Sequence, residues 1–387
     1  MEEAPVHPDR VYVSGMGVLT GLADNVEDLA RVLAERSIVR RTDRTQRELP
    51  RRPLLLPPFD LADFLETRRP YLDTQSRCAL AAAAMALDNA AVEPDEVDPL
   101  LCGLHYANSL GNLDTLEAFR RAVDEKGMRL ASPVLFSHAY PNTTASLLAI
   151  EFALAGVHQN VCGGRLCGAQ ALQGALMALD AGQADMILAG GADAVAPELL
   201  ERMWQGAPGN LPPGQAAAFL VLETQDSVER REGYAFCELA SVVCMGTGGA
   251  ATAAGMAEAL EAAVDAAIAE AAMWDGDVGL VACCGAPAED SPAAQAEGLA
   301  LRRFSQVPKV GAAPFVGNVF AASFPLECAL AAEAVSSGRV PADVVLWGEK
   351  GGVEVWVEGR PEPLLGGAAL VVGCSPEEVA AAVLVAM

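Results

Sequence analysis

The sequence predicts an α/β protein built from two similar halves, and three observations carry that prediction. Short β-rich runs alternate with long Ala-rich runs, the pattern of buried strands covered by helices. Two stretches share one grammar of Ala-rich helix, acidic turn, apolar strand and Gly-containing loop. The first runs from Gln75 through Asp95 to Leu104 and Gly111, the second from Gly255 through Asp275 and Asp277 to Leu280 and Gly285. A second pair, Gly168 to Leu188 and Leu326 to Leu346, each gives a small-residue helix, a turn containing glycine and a strand. Duplication of this kind divides the chain near residue 235, into an N-terminal half over 1–235 and a C-terminal half over 236–387. Plain alternation without duplication is the other reading, because every α/β protein alternates.

Taken in order, Val11-Tyr12-Val13 followed by Gly15-Met16-Gly17 reads as a strand ending in a tight turn. Asp24 to Glu35 has helical spacing in Val26, Leu29, Val32 and Leu33, with Asn25 as its cap. Ala81-Ala82-Ala83-Ala84 marks a helix packed closely on its neighbours, because alanine combines high helix propensity with little bulk. Ala218 to Leu222 is a strand. The longest helical stretch, Ala253 to Trp274, is interrupted by Glu258, Glu261, Asp265 and Glu270, which excludes it as a membrane span.

Charge narrows the partners. With 26 Lys+Arg against 51 Asp+Glu the net charge is −25, which argues against nucleic acid and against an anionic membrane. Most of this surface would also repel an acidic carrier protein. Ten cysteines are scattered through apolar runs without a CxxC pair, the usage of reduced filler in a cytoplasmic chain. Met1 to Arg10 is polar and acidic, with no apolar core of a signal segment. No cofactor and no metal site is implied. Only four histidines occur, His7, His105, His138 and His158, and none follows His158. His7 reads as a solvated tail residue, His158 as a loop residue, His105 as a packed residue after a strand, and His138 as a packing or pocket residue.

Several segments carry a resemblance. Val11 to Thr20 is similar to the opening strand and turn of the β-ketoacyl synthases, and Ser132-Pro133 with Tyr140-Pro141-Asn142 to their dimer-interface segment. Gly182 to Ala194 resembles that family's strand-to-loop run most specifically and anchors the register. The resemblance covers nearly the whole chain. It implies the thiolase-like five-layered αβαβα fold, made of two pseudo-duplicated halves, in which a nucleophilic cysteine opens a buried helix.

In that register Gly168 matches the glycine that follows the nucleophile, so Arg165 stands where the cysteine would be. A guanidinium is no nucleophile and reverses the local charge, and a buried one requires a carboxylate, backbone carbonyls or water as partner. Cys284 takes the place of the first catalytic histidine, within Ala282 to Ala288. Asn318 replaces the second, with Gly317 and Glu327 keeping the family's spacing, and Ala313 falls at the lysine. Neither Asn318 nor Ala313 can take or deliver a proton near neutral pH. The loop Trp204 to Gln215 is shortened, and Leu364-Leu365-Gly366-Gly367 is aligned with the Gly-Phe-Gly-Gly gate.

The resemblance implies a chain inactive on its own, like the chain-length factors of type II polyketide synthases. Such a subunit pairs with an active ketosynthase as a heterodimer and shapes the tunnel for the growing chain, while the acyl carrier protein docks mainly on the partner. Gly111 to Arg120 resembles the helix that limits chain extension, with Leu113, Leu116 and Arg120 on one face at i, i+3, i+7, and with Phe136 and His138 nearby in the interface segment. Two competing readings stand beside this one. A self-sufficient acyltransferase would use Cys162, or Cys167 activated by a helix start, or Cys284; a homodimeric scaffold would need no ketosynthase.

Overall fold

The computed structural model describes residues 10–39, 53–67, 69, 71–92, 97–205, 211–249, 252–285, 292–340, 343–345, 356–358 and 362–387. His7, Asp95, residues 206–210 of the shortened loop, residues 286–288 and Leu346 lie outside these. The described strands are β1 (Val11–Thr20), β2 (Cys102–Asn108), β3 (His158–Cys162), β4 (Met186–Asp193), β5 (Ala216–Thr224), β6 (Cys237–Gly246), β7 (Val278–Cys283), β8 (Lys309–Val310), β9 (Arg339–Val340), β10 (Asp343–Val345), β11 (Trp356–Glu358), β12 (Glu362–Pro363), β13 (Ala368–Cys374) and β14 (Glu378–Val385). The helices are α1 (Val26–Val39), α2 (Thr74–Asn89), α3 (Leu113–Lys126), α4 (Pro133–His138), α5 (Thr143–Glu151), α6 (Cys167–Asp180), α7 (Pro197–Gln205), α8 (Gln225–Arg230), α9 (Ala253–Glu270), α10 (Pro292–Ala300), α11 (Ala313–Val316) and α12 (Ser323–Ser337).

Ten strands form one mixed sheet in the order β3-β2-β4-β5-β1-β6-β14-β13-β7-β8. From the central β1·β6 contact, where Tyr12 faces Glu238 and Val13 faces Cys237, the two wings read alike. In each wing the successive pairings are antiparallel, antiparallel, parallel and parallel. A division near residue 235, between β5 and β6, is the proposal that accounts for this mirrored order. Helices fill three further layers: α2 packs on β1, β4 and β5, α9 on β6, β13 and β14, and α6 with α12 touch strands of both wings. Strands covered on both faces must be apolar throughout, and β4, β5 and β13 are buried along their whole lengths.

The expectation that β1 ends before Gly15 is corrected: the strand runs on to Thr20 with a register shift between Val13 and Gly15. Its glycines serve helix packing. A Cβ on Gly17 would lie 1.9 Å from the Ala82 carbonyl oxygen of α2, whose Ala81 to Ala84 are all buried. Gly17→Ala is therefore expected to destabilise the fold by about 3 kcal/mol, read by denaturant unfolding, as overpacking of a close backbone crossing. Loss below about 1 kcal/mol would contradict this packing.

Asn25 caps α1 as expected, accepting the Asp28 N–H at 2.7 Å. His158 opens β3 rather than lying in a loop. Of the strand expected after Leu326, the described parts pair separately, β9 with β12 and β10 with β11, outside the main sheet. Alternation alone had no means to separate one long strand from two short ones. No helix among the described residues is long and apolar enough to cross a membrane.

Candidate functional site

Arg165 lies in the turn that opens α6 and is 9% exposed. Glycines allow the helix to enter a crowded place: a Cβ on Gly168 would lie 2.2 Å from the Ala321 carbonyl oxygen. The guanidinium reaches across to the other wing, where Nε donates to Asn318 Oδ1 at 3.1 Å and Nη2 to the Cys284 carbonyl oxygen at 2.5 Å. Nη1 has no hydrogen-bond partner among the described residues.

The residues that the resemblance aligned with the family's proton carriers assemble here. Cys284 follows β7, and the turn closes at Gly285 with φ +68°, where a Cβ would come 3.1 Å from Ala313 Cβ. Asn318 is held by the remnant of the shortened loop: its N–H donates to the Pro212 carbonyl and its carbonyl accepts the Gly214 N–H, both at 2.8 Å. Gly317, at φ +81°, permits this clamp, since a Cβ there would sit 2.4 Å from Pro212 O. Four positions distant in sequence thus converge on one buried point.

Two buried carboxylates share the point with Arg165. Glu327 Oε1 accepts the Ala312 N–H at 2.8 Å, while its Oε2 and both oxygens of Glu297, on α10, lack partners among the described residues. Only the Cys374 backbone amide comes near Glu297, without meeting hydrogen-bond geometry. Burial pushes Glu327 up to about 8 and Glu297 up to about 7, and the positive Arg165 pulls both partly back. Neither makes a direct ion pair with the guanidinium, so of the partners expected for Arg165 a backbone carbonyl is found, and the side-chain oxygen of Asn318 is a partner that was not expected. Glu297 was missed in the sequence, although an acid within the apolar run Pro292–Ala300 was a usable signal.

On the opposite flank Glu378, at the start of β14, accepts the Leu166 N–H at 3.0 Å and the Gln170 side-chain amide at 2.6 Å. The loop facing the site from this strand pair is Ser375–Glu378, which corrects the alignment of Leu364 to Gly367 with the gate. β13 runs parallel to β7, with Ala368 opposite Val278 and Val372 opposite Cys283, so Leu364 to Gly367 lie at the end of the sheet away from Cys284. Leu365 is exposed there.

Two of the alternative thiols, Cys167 and Cys284, are held away from the thiolate form by burial. The expectation that the start of α6 favours a Cys167 thiolate is corrected: burial pushes this thiol up to about 12, and a 3.7 Å contact with Ser109 Oγ and the Gly163 backbone offset it only in part. Burial drives Cys284 far above the ordinary thiol range. Cys162 is exposed on the edge strand β3, with Asn160 Nδ2 at 3.1 Å from its sulfur. Asp193, closing β4, accepts backbone N–H groups from Ser109, Leu110 and Ala321, and burial still pushes it up to about 7. His105 is buried under α6, and burial pushes it down to about 4.

The residues expected at the tunnel form a separate surface group. On α3 the buried residue is Thr115, which donates to Asp73, whereas Leu113 is half-buried and Leu116 and Arg120 are exposed. Arg120 is tied at the surface to Glu117 and Asp124. Phe136 packs its ring 5.6 Å from Phe119 and 5.3 Å from Tyr140, and His138 stands edge-on to Tyr71 with Nδ1 on the Val134 carbonyl. Leu116, Leu130, Val134, Phe136, Tyr140 and Ile150 are all large, apolar and exposed. Between Leu130 and Gly164 the chain has no Asp, Lys or Arg and a single Glu, Glu151, which pairs with Arg69, whereas the whole chain carries −25. Residues 131–163 are thus nearly free of charge, beside the ion-paired surface of α3, and β3 at the end of that segment is the edge strand of the described sheet.

A mirrored mixed sheet with a buried helix opening at its centre defines the thiolase-type frame of condensing enzymes. The family profile described as beta-ketoacyl synthase, N-terminal domain, matches residues 8–221, and the chain belongs to the β-ketoacyl synthase family. It is 25% identical over 255 residues to the 3-oxoacyl-[acyl-carrier-protein] synthase 2 of Vibrio harveyi, a match spanning 59% of this chain and 61% of that enzyme. Among solved structures, the ishigamide ketosynthase/chain length factor aligns with TM-score 0.81 at 17% identity, covering 98% of this chain and 100% of that one. A type II polyketide synthase ketosynthase, solved with its acyl-carrier protein, aligns with TM-score 0.77 at 18% identity over 98% and 100%. At those identities the structural likeness concerns the fold.

Proposed function

We propose that this chain is a non-catalytic chain-length factor that pairs with an active ketosynthase and shapes the tunnel in which a polyketide or polyene chain is elongated. One observation carries the reading. The residue aligned with the nucleophile is an arginine whose guanidinium is bonded to the backbone and side chain of the two positions aligned with the catalytic histidines. No group there attacks a thioester, and no imidazole stabilises an enolate or its oxyanion. The fold is then kept for its surfaces, and the exposed apolar side chains of α4 and its neighbours, in a segment nearly free of charge, form a face that a homologous subunit could cover with little charge repulsion. The acyl carrier protein docks mainly on the ketosynthase, because a subunit at −25 supplies little complementary potential.

Co-expression with candidate ketosynthases from adjacent genes, followed by co-purification and mass measurement of carrier-bound products, tests this reading. A 1:1 complex whose product length changes on Leu116→Trp is expected. A stable homodimer of this chain alone points instead to a scaffold, and a thioester on Cys162, Cys167 or Cys284 to a self-sufficient acyltransferase; either overturns the proposal. Phe136→Asp in the centre of the apolar face is expected to weaken co-purification at least about tenfold, through an unpaired charge buried at the interface. Undiminished recovery of the complex would place the interface elsewhere.

A further inference from the structure

We propose that Glu378 is a second, independent disarming group, which occupies the anion-stabilising end of α6 with a carboxylate of the chain's own. This rests on the reading that the chain forms no acyl-enzyme, and it locates the reason in two residues instead of one. The N-terminus of a buried helix favours negative charge, because its first N–H groups are unpaired and its dipole is positive there. In this chain the place is filled from within. Glu378 Oε1 accepts the Leu166 N–H at 3.0 Å, and Gln170, one turn further along α6, holds Oε2 at 2.6 Å. A Cβ on Gly164 would lie 3.1 Å from the same Oε1, so the carboxylate sits directly against the turn containing Arg165.

The consequence is electrostatic. A thiolate generated at position 165 would meet an existing negative charge at the helix end instead of free N–H groups, and like charge raises a thiol's pKa. Cys167, one residue beyond Leu166, already experiences Glu378 as a raising influence, though burial is its larger cause. Arg165 sends its guanidinium to Asn318 and Cys284, and no hydrogen bond joins it to Glu378 among the described residues, so the two groups act separately.

The test compares Arg165→Cys with Arg165→Cys/Glu378→Gln, both in a Cys162→Ser background, by the pH dependence of iodoacetamide alkylation at residue 165. Glutamine keeps an acceptor for the Leu166 N–H and removes the charge, with Gln170 reversing its side-chain amide to accept from the new NH2. The double variant is expected to react about tenfold faster at pH 7.5, with its midpoint lowered accordingly. Equal rates and equal midpoints would overturn the proposal. If Arg165→Cys does not fold, amide exchange at Leu166 decides: about tenfold faster exchange in Glu378→Ala supports the cap, and unchanged exchange overturns it. Failure here leaves the ketosynthase pairing untouched, since co-purification does not depend on a thiol at residue 165.

Discussion

Arg165→Ala is expected to cost about 3–5 kcal/mol of unfolding free energy at pH 8.5, and clearly less at pH 5.5. The guanidinium is buried and joins the start of α6 to Asn318 and to the Cys284 carbonyl, so truncation leaves the Cys284 carbonyl without this donor, leaves Asn318 Oδ1 with the Phe320 N–H alone, and opens a void. It also removes the one positive charge that pulls Glu327 and Glu297 back towards ionisation. At pH 5.5 those carboxyls are protonated with or without Arg165, and only the lost bonds and volume count. At pH 8.5 the variant must either bury uncompensated charge or keep protons that the solvent would otherwise take. Arg165→Gln should recover part of the loss by keeping a donor within reach of one acceptor. Urea unfolding at both pH values measures the difference; a cost that is the same at both, or below about 1 kcal/mol, would remove Arg165 from its bridging role.

The parent chain should itself lose stability as the pH rises from about 5 to about 8. Glu297 and Glu327 have folded-state values of about 7 and about 8 against an ordinary 4.5. Between 4.5 and those values the folded chain holds protons that the unfolded chain has released, so the slope of stability against pH is negative there, and the share of these two carboxyls in it ends above about pH 8. Buried Asp193, at about 7, and Glu333, at about 6, act in the same direction. The summed effect is on the order of 3 kcal/mol or more. Glu297→Gln and Glu327→Gln should each flatten the slope, and Glu327→Gln retains an acceptor for the Ala312 N–H. Stability that rises or stays level between pH 5 and pH 8 would show that these groups are not the buried acids described here.

The separation between what sequence and structure supply is visible in individual residues. Gly15 and Gly17 mark a close approach in any reading, but a turn and a strand packed against a helix use glycine for different reasons, and only α2 lying across β1 settles which applies. The alignment of Arg165, Cys284, Ala313 and Asn318 came from motif spacing, and the fold brings all four together. Leu364 to Gly367 matched a motif by composition and still proved to be at the wrong end of β13, because strand direction is not encoded in a four-residue pattern. Tunnel candidates on α3 were placed by helical spacing, which gives a common face without saying whether core, solvent or another subunit covers it.

By itself the sequence determined the α/β alternation, the repeated helix–turn–strand grammar, the strong negative charge and the residue types at the aligned catalytic positions, since all of these are local or countable properties of the chain. Tertiary structure alone decided that Arg165 is bonded to residues 119 and 153 positions away, that Glu297 and Glu327 share its burial, and that Glu378 closes the end of α6 from 212 positions distant. Contacts over such separations arise from the packing of sheets and helices, and burial, which sets the charge state of each group, exists only once that packing is complete.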